Sequence, residues 1–336
     1  MEEKKFDYQT AQFEDIFCNL CGSSDFYMLA RRSGNNLSQK VSLCRRCGLI
    51  YLNPRMTKEE YDNYYKYFYR EDRAVAKGRE IKERNYDRSF EVGSRFGRGL
   101  AQKLKSFIQN GLTIDVGSDT GGILNGIREV FPNMQLVGIE PSVSASEFAN
   151  QKGIKTYNSL FEDFSDPLVA HAANIICTQT LNHFLDPRKF LVWSFKTLDV
   201  GGRLILVVKN FREQCRKGGS VESGVQIDHA YMFTPETLRS FVETIGFQVL
   251  YTDIDEHRTP QELAAQLERG LSKQHTYLVA EKRTDKGYFE PRVPKKNFYL
   301  RERIEFFQLY VKIQYFLLYA HRTKFLHSFF SFLRKW

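Results

Sequence analysis

The sequence predicts an α/β protein built on a doubly wound, mostly parallel sheet, and three observations carry that reading. Thr113-Ile-Asp-Val-Gly-Ser-Asp-Thr-Gly-Gly122 reads as a short buried strand, a tight glycine turn and the start of a helix. Ile123, Leu124, Ile127, Val130 and Phe131 then recur at helical spacing, and Pro132 closes the segment. Further strand-like apolar runs follow at 135–139, 174–178 and 203–208, with helical stretches between them.

At 336 residues the chain accommodates one large domain with appendages, or two domains. No apolar run approaches the ~18–20 residues of a membrane span. The start, Met1 to Thr10, is too polar for a signal peptide. Four of the six cysteines fall in two C-x-x-C pairs, which suggests metal in a reducing compartment and a cytoplasmic location. The net charge of +9 sits in the tail: residues 282–336 hold 13 Lys/Arg against 4 Asp/Glu, and the rest is balanced at 36 against 36. A nucleic-acid enzyme more often spreads basic charge around its cleft, so nucleic acid is not the favoured partner.

The elements follow in order. Cys18-Asn-Leu-Cys21 and Cys44-Arg-Arg-Cys47 each suit a tight knuckle closed by a glycine, Gly22 or Gly48. Four thiolates make a closed tetrahedral zinc site, so Cys18, Cys21, Cys44 and Cys47 are expected to hold one structural Zn²⁺. Residues 23–43 between the knuckles should form a small β-ribbon. The zinc would hold together a module too small for its own core. Thr57-Lys-Glu-Glu60 looks like a helix capping box, with Tyr61, Tyr64, Tyr65, Phe68 and Tyr69 following at helical spacing. Residues 71–93 are highly charged and read as a solvated helix or connection. Leu100, Leu104, Phe107 and Ile108 make an amphipathic helix before the first strand of the sheet.

The glycine turn also indicates its ligand. A pyrophosphate site wants G-x-G-x-x-G. Here the order is Gly117-x-x-x-Gly121-Gly122, flanked by Asp115 and Asp119. Two carboxylates would repel a pyrophosphate but suit a ligand carrying an ammonium and a sulfonium. Glu140, at the end of the next strand, can accept hydrogen bonds from ribose hydroxyls.

Asp-x-Gly-x-x-x-Gly followed by an acid closing the second strand resembles the class I S-adenosylmethionine-dependent methyltransferases. The resemblance spans roughly residues 105–281 and implies a seven-stranded sheet. It places S-adenosylmethionine on Asp115, Gly117, Asp119, Gly121 and Glu140, with Glu162 and Asp163 near its adenine. Asp119 stands where that family usually carries glycine, and Asp tolerates a left-handed conformation better than most residues. Leu181-Asn-His-Phe-Leu-Asp-Pro187 is similar to the family's loop after strand four, and Leu198-x-x-Gly-Gly202 precedes strand five. A tyrosine-rich helix after a zinc ribbon resembles a bacterial subgroup that modifies sugars. By that resemblance Tyr65, Tyr69 or Arg70 would join a lid over the cofactor. The acceptor would be a sugar nucleotide or lipid-linked saccharide in surface-polysaccharide synthesis. Deoxysugar C-methyltransferases with similar ribbons carry a further large C-terminal domain, for which the 55 residues after Glu281 are too few.

Within this core, Val143 and Phe148 around Ser144-x-x-Glu147 read as a staple and capping box. Asp186-Pro187 and Thr234-Pro235 each place an N-cap before proline, and Gly246 ends the second helix. Residues 247–251 and 276–281 read as an antiparallel edge pair. Residues 211–233 read as a long insertion loop, in which Asp228, His229 and Tyr231 are candidates for acceptor contact. His229 is the expected general base, with His183 second and Tyr231 as an orienting group. In the tail, Glu305, Gln308, Lys312 and Arg322 are assigned to one helical face and Phe306, Tyr310, Ile313 and Leu317 to the other. Residues 297–336 could lie on the inner face of an anionic membrane, pack on the core, or join a second subunit as a homodimer. The divisions expected are a zinc ribbon at 13–55, a helical linker or lid at 56–104, the cofactor domain at 105–283 and the tail at 295–336. An RNA methyltransferase, or a non-catalytic assembly protein on a degenerate methyltransferase fold, are the rival readings.

Overall fold

The computed structural model describes residues 6–8, 10–34, 36–68, 84–164, 171–254 and 259–311. Chain order gives β1 (Phe13–Glu14), β2 (Phe26–Arg32), β3 (Ser38–Cys44), β4 (Ile50–Leu52) and β5 (Arg55–Met56) in the N-terminal part. The helices Lys58–Tyr67 and Tyr86–Lys103 follow. The main sheet then takes β6 (Leu112–Val116), β7 (Gln135–Ile139), β8 (Thr156–Tyr157), β9 (Ala172–Thr178) and β10 (Leu198–Lys209). Next come β11 (Tyr231–Met232), β12 (Gln248–Ile254) and β13 (His275–Glu281).

Seven strands form the sheet, in the order β12-β13-β10-β9-β6-β7-β8. β8, β7, β6, β9 and β10 pair in parallel, and β13 runs antiparallel between β10 and β12. Strand order reverses at β6, which makes its carboxyl end the crevice where such sheets bind ligands. Both faces are covered, so β10 is apolar throughout its centre. Leu204, Leu206 and Val208 join one core, and Ile205 and Val207 join the other.

The second core rests on a close helix crossing. A Cβ on Gly97 would lie 2.1 Å from the Ile123 carbonyl oxygen, and one on Gly126 would lie 2.0 Å from that of Ser94. Only glycine lets the Tyr86–Lys103 and Gly122–Val130 helices approach this far. The first of these helices begins inside the stretch read as a solvated helix or connection; it is a helix there, but one whose apolar face starts near Phe90.

Three other expectations need correction. The ribbon is not a module apart. β11, from the 211–233 insertion, pairs with β4 and completes a four-stranded sheet in the order β11-β4-β3-β2. Cys18, Leu20, Cys44, Leu49 and Tyr51 share one core with Ile114, Ile175 and Leu206 of the main sheet. Nor is the insertion one long loop: it folds into helices Phe211–Gly218 and Val221–Gly224 before β11. Finally, the Val143–Gln151 helix is capped by Ser142, whose hydroxyl accepts from Ala145 N, and not by Ser144. The caps at Asp186 and Thr234 form as expected.

The helix that closes the described chain, over 299–311, has apolar residues on two sides. Inward, Phe306 packs on Phe211 with ring centroids 5.4 Å apart, and the buried Glu302 accepts a 2.9 Å hydrogen bond from Thr234 Oγ1. Outward, Leu300, Ile304, Phe307 and Val311 are exposed. Glu305 pairs with Arg216 while Tyr310 is exposed, so the two faces assigned from the sequence are rotated. Ile313, Leu317 and Arg322, like Tyr69 and Arg70, lie outside the described residues. Among the described residues no helix is long and apolar enough to cross a membrane.

Candidate functional site

The glycine turn after β6 is bent as its sequence requires. Gly117 and Gly121 each take φ 76° and Asp119 takes φ 50°, so all three lie in the left-handed region. A Cβ on Gly117 would meet the Thr180 side chain at 2.6 Å, which sets the loop after β9 directly against the turn. The Asp119 and Ser142 amides donate to the two oxygens of Glu140, at 2.9 and 2.8 Å. Arg84 pairs with Asp119, a contact that no motif announces.

Asp115 is fully buried at the end of β6, and neither of its carboxylate oxygens has a hydrogen-bond partner. Burial, then the charges of Glu140 and Asp119, push its pKa up to about 8. Burial also raises Glu140, against the two amides that favour its charged form. Three carboxylates around one glycine turn reject a phosphate and suit a cation. A positively charged ligand there would give Asp115 the partner it lacks. S-adenosylmethionine meets this requirement with its ammonium and sulfonium, and its ribose hydroxyls can donate to the remaining lone pairs of Glu140. Glu162 and Asp163 stand exposed on the turn after β8, above the buried Phe161.

The chain also brings together two histidines from distant segments. His183 ends a single 3-10 turn, Leu181–His183, and His229 lies just before β11. Their ring centroids are 4.7 Å apart, edge to face. His183 Nδ1 donates to the Asp228 carbonyl at 3.0 Å and lies 3.6 Å from the Asp228 carboxylate; His229 Nε2 lies 3.9 Å from the same carboxylate. A carbonyl can only accept, so Nδ1 carries the proton of neutral His183 and its lone pair is on Nε2. Asn182 Nδ2 donates to Tyr231 O at 3.1 Å and ties the two loops together. Tyr61 donates to Ile227 O at 3.1 Å and braces them from the tyrosine-rich helix. His183 keeps 22% of its side chain exposed and His229 only 1%, so His183 faces the opening and His229 lies behind it. Tyr231 is buried, with its hydroxyl toward Arg55 and the Leu185 carbonyl, and so lies in the ribbon contact instead of the opening.

The four ribbon cysteines are buried and lie together. Cys18 Sγ is 3.5 Å from Cys47 Sγ, Cys21 Sγ is 3.5 Å from Cys44 Sγ, and all four sulfurs fall within 4.8 Å of one another. Four donors at about 2.3 Å around one ion span such separations, so the set fits tetrahedral Zn²⁺. Arg188 fixes the first knuckle, donating through Nε to Asn19 O at 2.9 Å and through Nη2 to Leu20 O.

Sheet order, glycine turn and acidic cradle together match what an S-adenosylmethionine-dependent methyltransferase requires. Residues 91–252 match the model of a family described as a methyltransferase domain. Comparison with the curated proteins gives no match. Among solved structures, the plantazolicin methyltransferase BpumL, in complex with a monoazolic desmethylPZN analogue and SAH, is similar. It has 18% identity and a TM-score of 0.47, over 67% of this chain and 94% of that one. An S-adenosylmethionine-dependent methyltransferase from Archaeoglobus fulgidus has 18% identity and a TM-score of 0.44, over 59% and 100%. One from Mesorhizobium loti has 12% identity and a TM-score of 0.44, over 55% and 97%.

Proposed function

We propose that the chain transfers the methyl group of S-adenosylmethionine to a hydroxyl of a sugar or glycan-type acceptor, a sugar nucleotide or lipid-linked saccharide of surface-polysaccharide synthesis. One observation carries the reading: two imidazoles and a carboxylate meet where the loop after β9, whose Thr180 lies against Gly117 of the glycine turn, crosses the loop before β11. The methyl carbon leaves sulfur, which keeps the electron pair, and bonds to the acceptor oxygen, whose proton is lost. Most of the barrier is lowered by aligning oxygen, carbon and sulfur. A hydroxyl is also a poor nucleophile at neutral pH, and the cluster lowers the cost of removing its proton. The acceptor meets the cluster on the His183 side, with His229 acting from behind.

The balanced charge outside the tail favours a small or glycan acceptor over RNA, and the zinc ribbon ahead of a tyrosine-rich helix supports the sugar class. Methyl-labelled cofactor should be offered with separated pools of sugar nucleotides, lipid-linked glycans and RNA. Label is expected in one of the two glycan pools. His183→Ala and His229→Ala should each lower kcat by roughly 10²–10⁴ with cofactor affinity little changed. Label in RNA alone would make the chain an RNA methyltransferase, and no label in any pool would favour the assembly-protein reading. Full activity in both variants would remove the cluster from the chemistry.

A further inference from the structure

We propose that His183, Asp228 and His229 form a second metal site, which holds one divalent transition-metal ion and presents it to the acceptor hydroxyl. One ligand atom from each of the three residues can be chosen so that all lie within 4.8 Å of one another. Two donors each about 2.1 Å from one ion lie at most about 4.2 Å apart. His229 Nε2 and Asp228 Oδ2 already satisfy this at 3.9 Å.

The surroundings also suit a metal. A ligating histidine ordinarily donates its other ring N–H to a carbonyl or carboxylate, which fixes the tautomer and turns the lone pair to the ion. His183 does so, through Nδ1 to the Asp228 carbonyl at 3.0 Å. The loops carrying the three residues are pinned before any ion arrives, by Asn182 to the Tyr231 carbonyl and by Tyr61 to the Ile227 carbonyl. Two nitrogens and one carboxylate oxygen favour Zn²⁺, Mn²⁺, Co²⁺ or Fe²⁺ over Ca²⁺ or Mg²⁺. With three protein ligands the ion keeps open positions, on the side where His183 reaches solvent. The four-cysteine site has none and is closed. The two metals would therefore divide the work, one holding the ribbon and one meeting substrate.

The role of the ion rests on the methyl-transfer reading, whereas its binding does not. A divalent cation held there would bind adjacent sugar hydroxyls and lower the pKa of the one to be methylated, which then loses its proton to water. The pair of histidines would act as ligands, so neither need take the proton itself.

Binding can be measured on the full chain with zinc in its cysteine site and with neither cofactor nor acceptor present. Calorimetric titration with Mn²⁺ and with Co²⁺ should show one further equivalent. Pulsed electron paramagnetic resonance of the Mn²⁺-loaded wild type should show coupling to imidazole nitrogen. His183→Ala, at the less buried of the two histidines and so the safer change, should weaken binding of the second ion by roughly 100-fold or more. His229→Ala should do the same, and both should retain one zinc per chain. No second equivalent at millimolar Mn²⁺ or Co²⁺, or no nitrogen coupling, would overturn the site. So would variants that bind like the wild type. Metal binding without methyl transfer would leave the site standing and remove only its role.

Discussion

Asp115 makes a prediction whose size follows from its surroundings. It has no exposed surface and no hydrogen-bond partner, and its pKa rises from an ordinary 3.8 to about 8, chiefly through burial. Between those values the folded protein holds a proton that the unfolded chain has released. Stability contributed by this group therefore falls as pH rises through that window, by about 1.4 kcal/mol per pH unit. Asp115→Asn keeps the shape and removes the titration. From pH 5 to pH 7 the stability of the variant relative to wild type should improve by roughly 2.7 kcal/mol, and above pH 8 the difference should level off. Urea unfolding of both proteins at each pH, without cofactor, measures this, because titrating groups that do not interact with Asp115 cancel in the comparison. A difference that stays flat from pH 5 to pH 7, or moves the other way, refutes the argument. The same variant should bind S-adenosylmethionine at least about tenfold more weakly, since a charge-assisted contact is lost.

Three further outcomes are expected. Metal analysis of the purified chain should give one zinc held by the four cysteines, and Cys44→Ser should lose it and unfold at lower temperature; zinc retained in that variant would point to another ligand set. Glu140→Ala should weaken S-adenosylmethionine binding by roughly 1.5–3 kcal/mol, while Asp119→Gly, relieved of its left-handed side chain, should keep or tighten it; calorimetry with equal affinities for wild type and Glu140→Ala would remove Glu140 from the cofactor site. Gly126→Val must push the Tyr86–Lys103 and Gly122–Val130 helices apart and should cost roughly 1–3 kcal/mol, read from the urea midpoint; an unchanged midpoint would show that the crossing has room.

The sheet and its glycine turn were legible because they are local. Asp115, the glycine turn and Glu140 lie within 26 residues, and each strand carries its own apolar run. The cysteine spacing is likewise a local signal, although the core shared with the main sheet is not. The acceptor side was harder. His183 and His229 were both singled out, but their edge-to-face contact joins residues 46 apart and depends on how two loops cross. The burial of Tyr231 follows from strand pairing with Ile50–Leu52, far upstream, which no periodicity records. Some misses had a signal. Thr259-Pro-Gln-Glu262 is a capping box before the Pro260–Glu268 helix, of the same kind as Thr234-Pro235, and it went unread. Gly93 and Gly97 on one helix, and Gly122 and Gly126 on the other, each stand four residues apart, the spacing of a close helix crossing.

The pairing of β11 with β4 has a consequence for how the protein comes into being. The segment that resembles a methyltransferase domain, 91–252, is not a complete folding unit, because β11 lies inside it and its strand partner lies outside. Asp228 and His229 directly precede β11, so their loop gains its anchor only after residues some 180 positions earlier have found it. Contacts between such distant segments are slow to form. Here the partner strand follows directly on the second knuckle of the four-cysteine ribbon, which a metal would hold together. The cofactor half can close on itself as it is made, but the acceptor half must wait for the ribbon. Zinc supply at the time of synthesis would then govern how much of the protein becomes competent, although a four-cysteine site leaves no open position for substrate.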